Sequence, residues 1–304
     1  MAPTIELIRA QPGLVRIVYV HPKYRSGANT DSTALSGAAP AAASVAALAA
    51  VTGTSSAATS PAAPAAASVS APSAASVATP SAVNIAAPSA TSDAAPAAAS
   101  GAASIYDICR SYGIQCEVNQ KIFNIAAEKD NIFIIGVFTK SESPLNPRLP
   151  HAVFVNPADA GNLGANIRTC AGFEFNDIAI IRPGADAYAP KTVRASMGAV
   201  FRVRVAGFNS FDEYVAAFPE HAIYCFMLKG ETELNGISHA ADERFSLVFG
   251  NEATGLPDDY LRSGVGVRIA HSDAVDSLNL SVAVGIAANA FYNIRRRNAK
   301  EIDK

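Results

Sequence analysis

Apolar positions along this chain recur at two spacings, and the spacings alternate. Short apolar or β-branched runs predict strands at Leu14–Val20, Asn131–Thr139, Ala152–Val155, Ile178–Ile181 and Val200–Val205. Further strands are predicted at Ala222–Leu228, Phe245–Phe249 and Val265–Ile269, with a short one in the CEVN segment from Cys116. Helical spacing falls between them, at Ile5–Arg9, Ile105–Tyr112, Lys121–Glu128, Asn162–Ala171 and Lys191–Met197, and a long helix runs from Ser277 to about Arg296. Gly113 is placed to end the helix before it, and Ser210 with Glu213 forms a capping-box pattern for a helix that closes before Pro219. Strand and helix alternate throughout the second half, which predicts an α/β fold with a mostly parallel sheet covered on both faces. In such sheets ligands lie beyond the carboxyl ends of the strands, so the loops after Phe249 and Ile269 are where chemistry is expected.

A second pattern interrupts the first. Between Ala28 and Ser104 the only charged residues are Asp31 and Asp93, and alanine, serine, threonine and proline dominate. The octamer AAPAAASV occurs at Ala38–Val45 and Ala62–Val69, and a partial copy begins at Ala94. So few large apolar side chains cannot offset the entropy of ordering the segment, and its prolines break any alanine helix. It reads as a disordered insertion over residues 28–104, splitting a small α/β domain that spans residues 1–145. An interaction role for it rests on composition alone. The proline-rich stretch Ser141–Pro150 then links to a second domain over residues 146–304.

Charge narrows the function classes only slightly. The two insertion aspartates account for the excess of 26 acidic over 24 basic residues, so no strongly basic coat covers the protein. Local basic patches remain possible, and Lys191, Arg194, Arg202 and Arg204 are the residues that could meet a nucleic acid through one. Arg295, Arg296 and Arg297 sit where a helix macrodipole favours cations in any case. Cys109, Cys116, Cys170 and Cys225 form no CxxC pair and have no histidine at metal-ligand spacing, so free thiols in a reducing compartment and no metal are expected. With no apolar run of membrane-spanning length and no signal-peptide pattern, the expectation is a cytoplasmic protein without a membrane partner.

Three polar clusters fall at predicted strand ends. In the first, Asn162-Leu163-Gly164-Ala165-Asn166-Ile167-Arg168-Thr169, Asn162 suits a helix N-cap. Arg168 is either a surface residue or aimed at a phosphate or ribose. In the second, from Leu247 to Pro257, a buried strand ends at Gly250, where backbone can approach closely, and Glu252 follows. That carboxylate either accepts hydrogen bonds from a ribose or cationic partner or merely closes a loop. In the third, from Ile269 to Ala283, a polar loop enters an apolar helix. Asp276 or Ser277 can cap it, or its free N–H groups can meet an anion. His271-Ser272-Asp273 is not read as a hydrolase triad, since no GxSxG elbow exists, and no Walker loop, GxGxxG, HExxH or deaminase zinc pattern occurs.

Taken together in order and spacing, NLGANIRT, LVFGNEATGLP and IAHSDAVDSLNLSVA resemble the three motifs of the SpoU/TrmH branch of the SPOUT RNA methyltransferases. The resemblance runs from Ala152 into the last helix. The segments from Leu14 to Thr139 are similar to the ribosomal-protein-like substrate-binding domain that precedes the catalytic domain in many members. It implies a C-terminal trefoil-knotted α/β domain, a homodimer, S-adenosyl-L-methionine as cofactor, and methylation of a ribose 2′-hydroxyl in structured RNA, ribosomal RNA ranked ahead of tRNA. It also implies site residues: Arg168, Asn162, Glu252, Ser277 and Asn279 for catalysis, and Gly250, Ile269 and Leu278 around the cofactor. Ala270 stands where the family commonly has proline. The competing expectation is a catalytically silent RNA-binding protein that keeps the fold as a scaffold.

Overall fold

The computed structural model describes residues 3–24, 80–86, 104–127, 132–237 and 244–302. Two sheets form. The first has β1 (Val15–Val20), β2 (Pro80–Ala86), β3 (Cys116–Val118) and β4 (Ile132–Thr139) in the order β2-β4-β1-β3. β1 is parallel to β3 and antiparallel to β4, and β2 adds to the far edge of β4, antiparallel. Side chains alternate across this sheet, with an irregularity in β4, where the pairing with β2 shifts between Ile132 and Ile134. Val18 and Val20 join Leu7 and Ile8 of α1 (Pro3–Ala10) and Ile105 and Ile108 of α2 (Ile105–Ser111) on one face. Ile132 and Ile135 join Phe123 of α3 (Gln120–Ala126) on the other.

β2 corrects the reading of residues 28–104 as structureless. Its seven residues, PSAVNIA, contain two β-branched side chains, Val83 and Ile85, and the edge of β4 offers a main-chain ladder that any non-proline residue can join. A tertiary edge supplied what local composition did not. Apart from Ser104, which caps α2, the remainder of that segment lies outside the described residues.

The second sheet is parallel throughout. Its strands are β5 (His151–Val155), β6 (Asp177–Ile181), β7 (Arg204–Phe208), β8 (Ala222–Phe226), β9 (Thr232–Glu233), β10 (Phe245–Phe249) and β11 (Val265–Arg268). They lie in the order β7-β6-β5-β10-β8-β11-β9. Every residue of β5, β6 and β10 is buried, as expected of central strands covered on both faces. Ala152, Phe154, Ile178, Ile180, Leu247 and Phe249 face α4 (Ala160–Gly172) and α7 (Leu280–Ile302) through Leu163, Ile167, Val284 and Phe291. Val153, Val155, Ala179, Ile181 and Val248 face Phe211 and Tyr214 of α6 (Phe211–Ala217). Each buried Val, Ile, Leu or Phe among them contributes about 1.5–3 kcal/mol relative to exposure.

The strand expected at Val200–Val205 is displaced. Val200, Phe201 and Val203 all enter the same core, on one face of the sheet, which a period-two strand cannot achieve for the adjacent Val200 and Phe201, so residues Ala199–Phe201 form a 3-10 turn instead. Gly198 at φ 83 leads into it, and the strand proper begins at Arg204. This turn is also where the two sheets meet. Phe138 of β4 packs edge-on against Phe201 at 5.3 Å, Gln11 Nε2 donates to Phe201 O at 2.9 Å, and buried Glu6 pairs with Arg202. No helix among the described residues is long and apolar enough to cross a membrane.

Candidate active site

β5 and β10 are adjacent and parallel, so their carboxyl ends open side by side. The chain leaves β5 through Asn156, held at φ 47, and then enters α4. Asp159, not Asn162, caps that helix: its Oδ1 accepts the Asn162 N–H at 2.8 Å. The sequence reading placed the cap three residues late. Both residue types suit an N-cap, but Asp159 has the extended backbone the position requires. Asn162 is thereby free to face outward. Its Nδ2 donates to Glu252 Oε1 at 3.3 Å, and the Ala158 N–H donates to Glu252 Oε2 at 3.2 Å. One carboxylate thus joins the loop after β10 to the entry of α4.

Asn251, which the sequence reading passed over, shapes that loop. Its Oδ1 accepts the Ala253 N–H at 2.8 Å and the Thr254 N–H at 3.3 Å, and its Nδ2 donates to Asn156 O at 2.7 Å. Gly255, at φ 65, turns the chain back so that its N–H reaches Asn251 O at 2.9 Å. The turn crosses close over Gly250, where an added Cβ would lie 2.2 Å from the Gly255 carbonyl carbon. An asparagine two residues ahead of a backbone N–H in a glycine-bounded loop is the signal that points to such a turn.

The remaining expected site residues are spread along two further elements. Arg168 lies six residues beyond Asn162 on α4, exposed, with no hydrogen-bond or ion-pair partner among the described residues. Ile269 follows β11 and packs half-buried against the core. Leu278 is half-buried, whereas Ser277 and Asn279 are exposed. The long helix starts at Leu280 rather than Ser277, and Asn279 caps it by accepting the Ser281 N–H at 2.9 Å, in place of Asp276 or Ser277. Asn162 and Glu252 are therefore in contact. No hydrogen bond among the described residues joins Arg168, Ser277 or Asn279 to either. On the same two helices, Ser281 Oγ in the first turn of α7 and both amide atoms of fully buried Asn166 on α4 have no hydrogen-bond partner among the described residues.

Lys191 on α5 (Pro190–Ala195) donates to Asp159 Oδ2 at 2.5 Å. That bond, with the Asn162 N–H next in weight, holds the Asp159 carboxyl below the usual carboxylate range. Arg202 pairs with Glu6, and Arg204 grips buried Asp177 through two bonds of 2.6 and 2.5 Å. Three of the basic residues expected to meet RNA are thus occupied by carboxylates within the fold. Arg296 lies over the Tyr292 ring at 5.6 Å. All four cysteines are free thiols, with Cys109, Cys170 and Cys225 buried.

Residues 150–289, which hold all three polar clusters, match the model of the SpoU rRNA Methylase family. A Listeria monocytogenes protein provisionally named a tRNA (cytidine(34)-2'-O)-methyltransferase is 30% identical over 152 residues, which cover 49% of this chain and 88% of that protein. The chain belongs to the SpoU methylase family. The 23S rRNA (adenosine(1067)-2'-O)-methyltransferase of Streptomyces laurentii is 33% identical over 143 residues, 45% of this chain and 51% of that protein. The chain therefore spans about half the length of that relative, and it spans 26% of a Syntrophobacter fumaroxidans ribosomal RNA methyltransferase. Among solved structures, the AdoMet-bound rRNA methyltransferase of Sinorhizobium meliloti superposes with a TM-score of 0.55 at 28% identity, covering 62% of this chain and 75% of that one.

Proposed function

We propose that this SpoU methylase transfers a methyl group from S-adenosyl-L-methionine to a ribose 2′-hydroxyl of structured RNA, ribosomal RNA ahead of tRNA. The observation that carries the reading is the clasp of Asn162 and Ala158 N on Glu252, which joins the first two family motifs at the open ends of adjacent strands. Residues 1–145 are read as the RNA-binding part and residues 146–304 as the catalytic part. A homodimer and a trefoil knot belong to the same reading. The cytoplasm is the compartment proposed, in keeping with four free thiols.

The residues around the strand ends fit the cofactor. Gly250, Ile269 and Leu278 are read as holding it, and at the end of the third motif the Ser281 Oγ is buried without a partner among the described residues. When bound, S-adenosyl-L-methionine supplies an electrophilic methyl on a sulfonium. The protein must then position a ribose oxygen and manage its proton. Arg168 carries an exposed guanidinium with no partner among the described residues, available to take an RNA phosphate and to stabilise charge developing on the ribose oxygen. Glu252 holds Asn162 and the α4 entry in register, and Ser277 and Asn279 present hydroxyl and amide groups from the third motif.

The test is transfer of labelled methyl from S-adenosyl-L-methionine to ribosomal and transfer RNA fractions, with the full chain and with Arg168→Ala. Label on a 2′-oxygen with wild type, reduced at least about a hundredfold by the substitution, is the expected result. No label on any fraction, from protein that still binds RNA, would favour the silent scaffold.

A further inference from the structure

Asp159 lies in no part of the site described as touching substrate, yet it is where three elements converge. Its Oδ1 takes the Asn162 N–H and its Oδ2 takes Lys191 from α5. Asn162 in turn reaches Glu252, and Glu252 also holds the N–H of Ala158, the residue immediately before Asp159. The result is a closed circuit: Asp159 fixes the first turn of α4 from inside, Lys191 anchors Asp159 from α5, and Glu252 seizes that turn from the loop after β10. Gly161 makes room for it. A Cβ there would lie 2.8 Å from Asp159 Oδ1 and 3.3 Å from Lys191 Cε, so only a residue without a side chain leaves the carboxylate where it is.

An ordinary N-cap needs one carboxylate oxygen and no cation. Here the second oxygen is committed to a lysine of another helix, and the capped N–H belongs to Asn162, whose side chain bonds Glu252. We infer that Asp159 is a positioning residue for the reaction proposed above, acting through Asn162 and Glu252, with Lys191 as its anchor. The inference rests on that reading of the site. Without the Asp159–Lys191 pair the first turn of α4 swings, the Glu252 clasp loosens, and Arg168, about 9 Å further along the same helix, loses its fixed direction.

Three variants separate this role from a plain structural one. Asp159→Asn keeps an oxygen for the Asn162 N–H but loses the ion pair. Gly161→Ala keeps both partners and displaces the carboxylate. Asp159→Ala removes cap and pair together. Hydrogen exchange of the Ala158 N–H, whose acceptor lies 94 residues away in sequence, reads the clasp directly without cofactor or RNA. Exchange about five- to tenfold faster in Asp159→Ala and Gly161→Ala, with an intermediate effect in Asp159→Asn, is expected. Methyl transfer should lose kcat in the same order, with KM for RNA within about twofold of wild type. If wild type transfers no methyl group, the functional reading fails by itself, and the exchange measurement still decides the clasp. Unchanged Ala158 exchange in Asp159→Ala would overturn the inference, as would full kcat in all three variants of an active enzyme.

Discussion

The hydroxyl of Tyr214 lies 2.8 Å from Nδ1 of His151, at the opposite end of β5 from the Asn162–Glu252 clasp. His151 Nε2 lies 2.9 Å from Asn146 O, so the ring donates there and accepts from Tyr214 as a neutral imidazole. The same hydroxyl is 2.6 Å from Ser246 Oγ, which is 2.9 Å from His221 Nδ1, and His221 Nε2 lies 3.0 Å from Pro147 O. Both imidazoles therefore end on carbonyls of the proline-rich segment between the two sheets. Asp177 holds the same segment by accepting the Asn146 N–H at 2.8 Å. A buried polar network, rather than apolar packing alone, fixes how the chain enters β5.

This network makes stability depend on pH. Burial pushes His151 down to about 4, and burial likewise lowers His221. In the unfolded chain histidine titrates near about 6.5. Between those values the unfolded state binds a proton that the folded state refuses, so folding weakens as pH falls from about 6.5 towards 4. Above about 6.5 the contribution is complete, and for His151 it is of order 3 kcal/mol. Urea midpoints at pH 7.5, 5.5 and 4.5 measure it. A His151→Asn variant, less stable at neutral pH, should show a flatter decline. Equal slopes for both proteins would remove His151 as the cause.

Tyr214→Phe removes one hydroxyl and leaves His151 Nδ1 without its donor in a fully buried setting. Orphaning a buried polar group costs about 1–3 kcal/mol. The expected result in denaturant is a lower midpoint with an unchanged slope, because the phenyl ring still fills the space between Phe208, Phe211 and Phe218. Tyr214 lies far from the clasp, so kcat should stay within about twofold of wild type.

Arg204→Met tests a different kind of burial. Asp177 is fully buried and takes two bonds from Arg204 as well as the Asn146 N–H. Breaking such a pair from one side leaves an uncompensated buried charge, at a cost of about 3–5 kcal/mol. Double replacement, Asp177→Leu with Arg204→Met, should recover part of that loss in thermal unfolding. A single variant as stable as wild type would show that solvent reaches Asp177.

How much of this was legible beforehand differs by element. Each strand of the parallel sheet that is buried on both faces, such as Ile178–Ile181 or Phe245–Phe249, announced itself, because its apolar run needs nothing outside itself to be read. β2 did not, since its pairing partner, the edge of β4, lies about fifty residues on. The turn at Ala199–Phe201 was missed because Val200 and Phe201 satisfy strand propensity equally well, and only the docked Phe138 and Gln11 decide otherwise. The motifs gave Asn162 and Glu252 as types and spacings. That they touch, and that Asp159 caps the helix between them, depends on β5 and β10 being neighbours, which local pattern does not specify. Lys191 looked like a residue for RNA for the same reason, since its partner Asp159 sits 32 residues earlier.

Glu252→Ala removes the acceptor for both Asn162 Nδ2 and Ala158 N. Hydrogen bonds to a charged group are worth about 1.5–3 kcal/mol, less where water reaches them, as it does here. A fall in kcat/KM of about ten- to a hundredfold is expected, with thermal stability changed little because the side chain is exposed. Glu252→Gln should be nearly as damaging, because its amide nitrogen cannot accept from the donor it would face. Full activity in Glu252→Gln would mean that the clasp does not serve the reaction.

Gly250 offers the sharpest separation of fold from site. A methyl group there meets the Gly255 carbonyl carbon at 2.2 Å, its oxygen at 2.4 Å and the Leu256 nitrogen at 2.6 Å. All three are backbone atoms, so no side-chain rotation relieves the overlap, and the loop from Asn251 to Leu256 must move as a body. Overpacking of this kind costs about 1–3 kcal/mol. The clash is local to the exit of β10, while the strand itself is held by ladders to β5 and β8. Gly250→Ala should therefore fold, melt somewhat lower, and lose S-adenosyl-L-methionine binding by tenfold or more, about 1.4 kcal/mol, in calorimetric titration. If the variant binds as tightly as wild type, the cofactor does not depend on the backbone at Gly250. The ligand would then have to be held by the third motif, from Ile269 to Asn279, and Ser281→Ala in the next turn becomes the substitution that decides it.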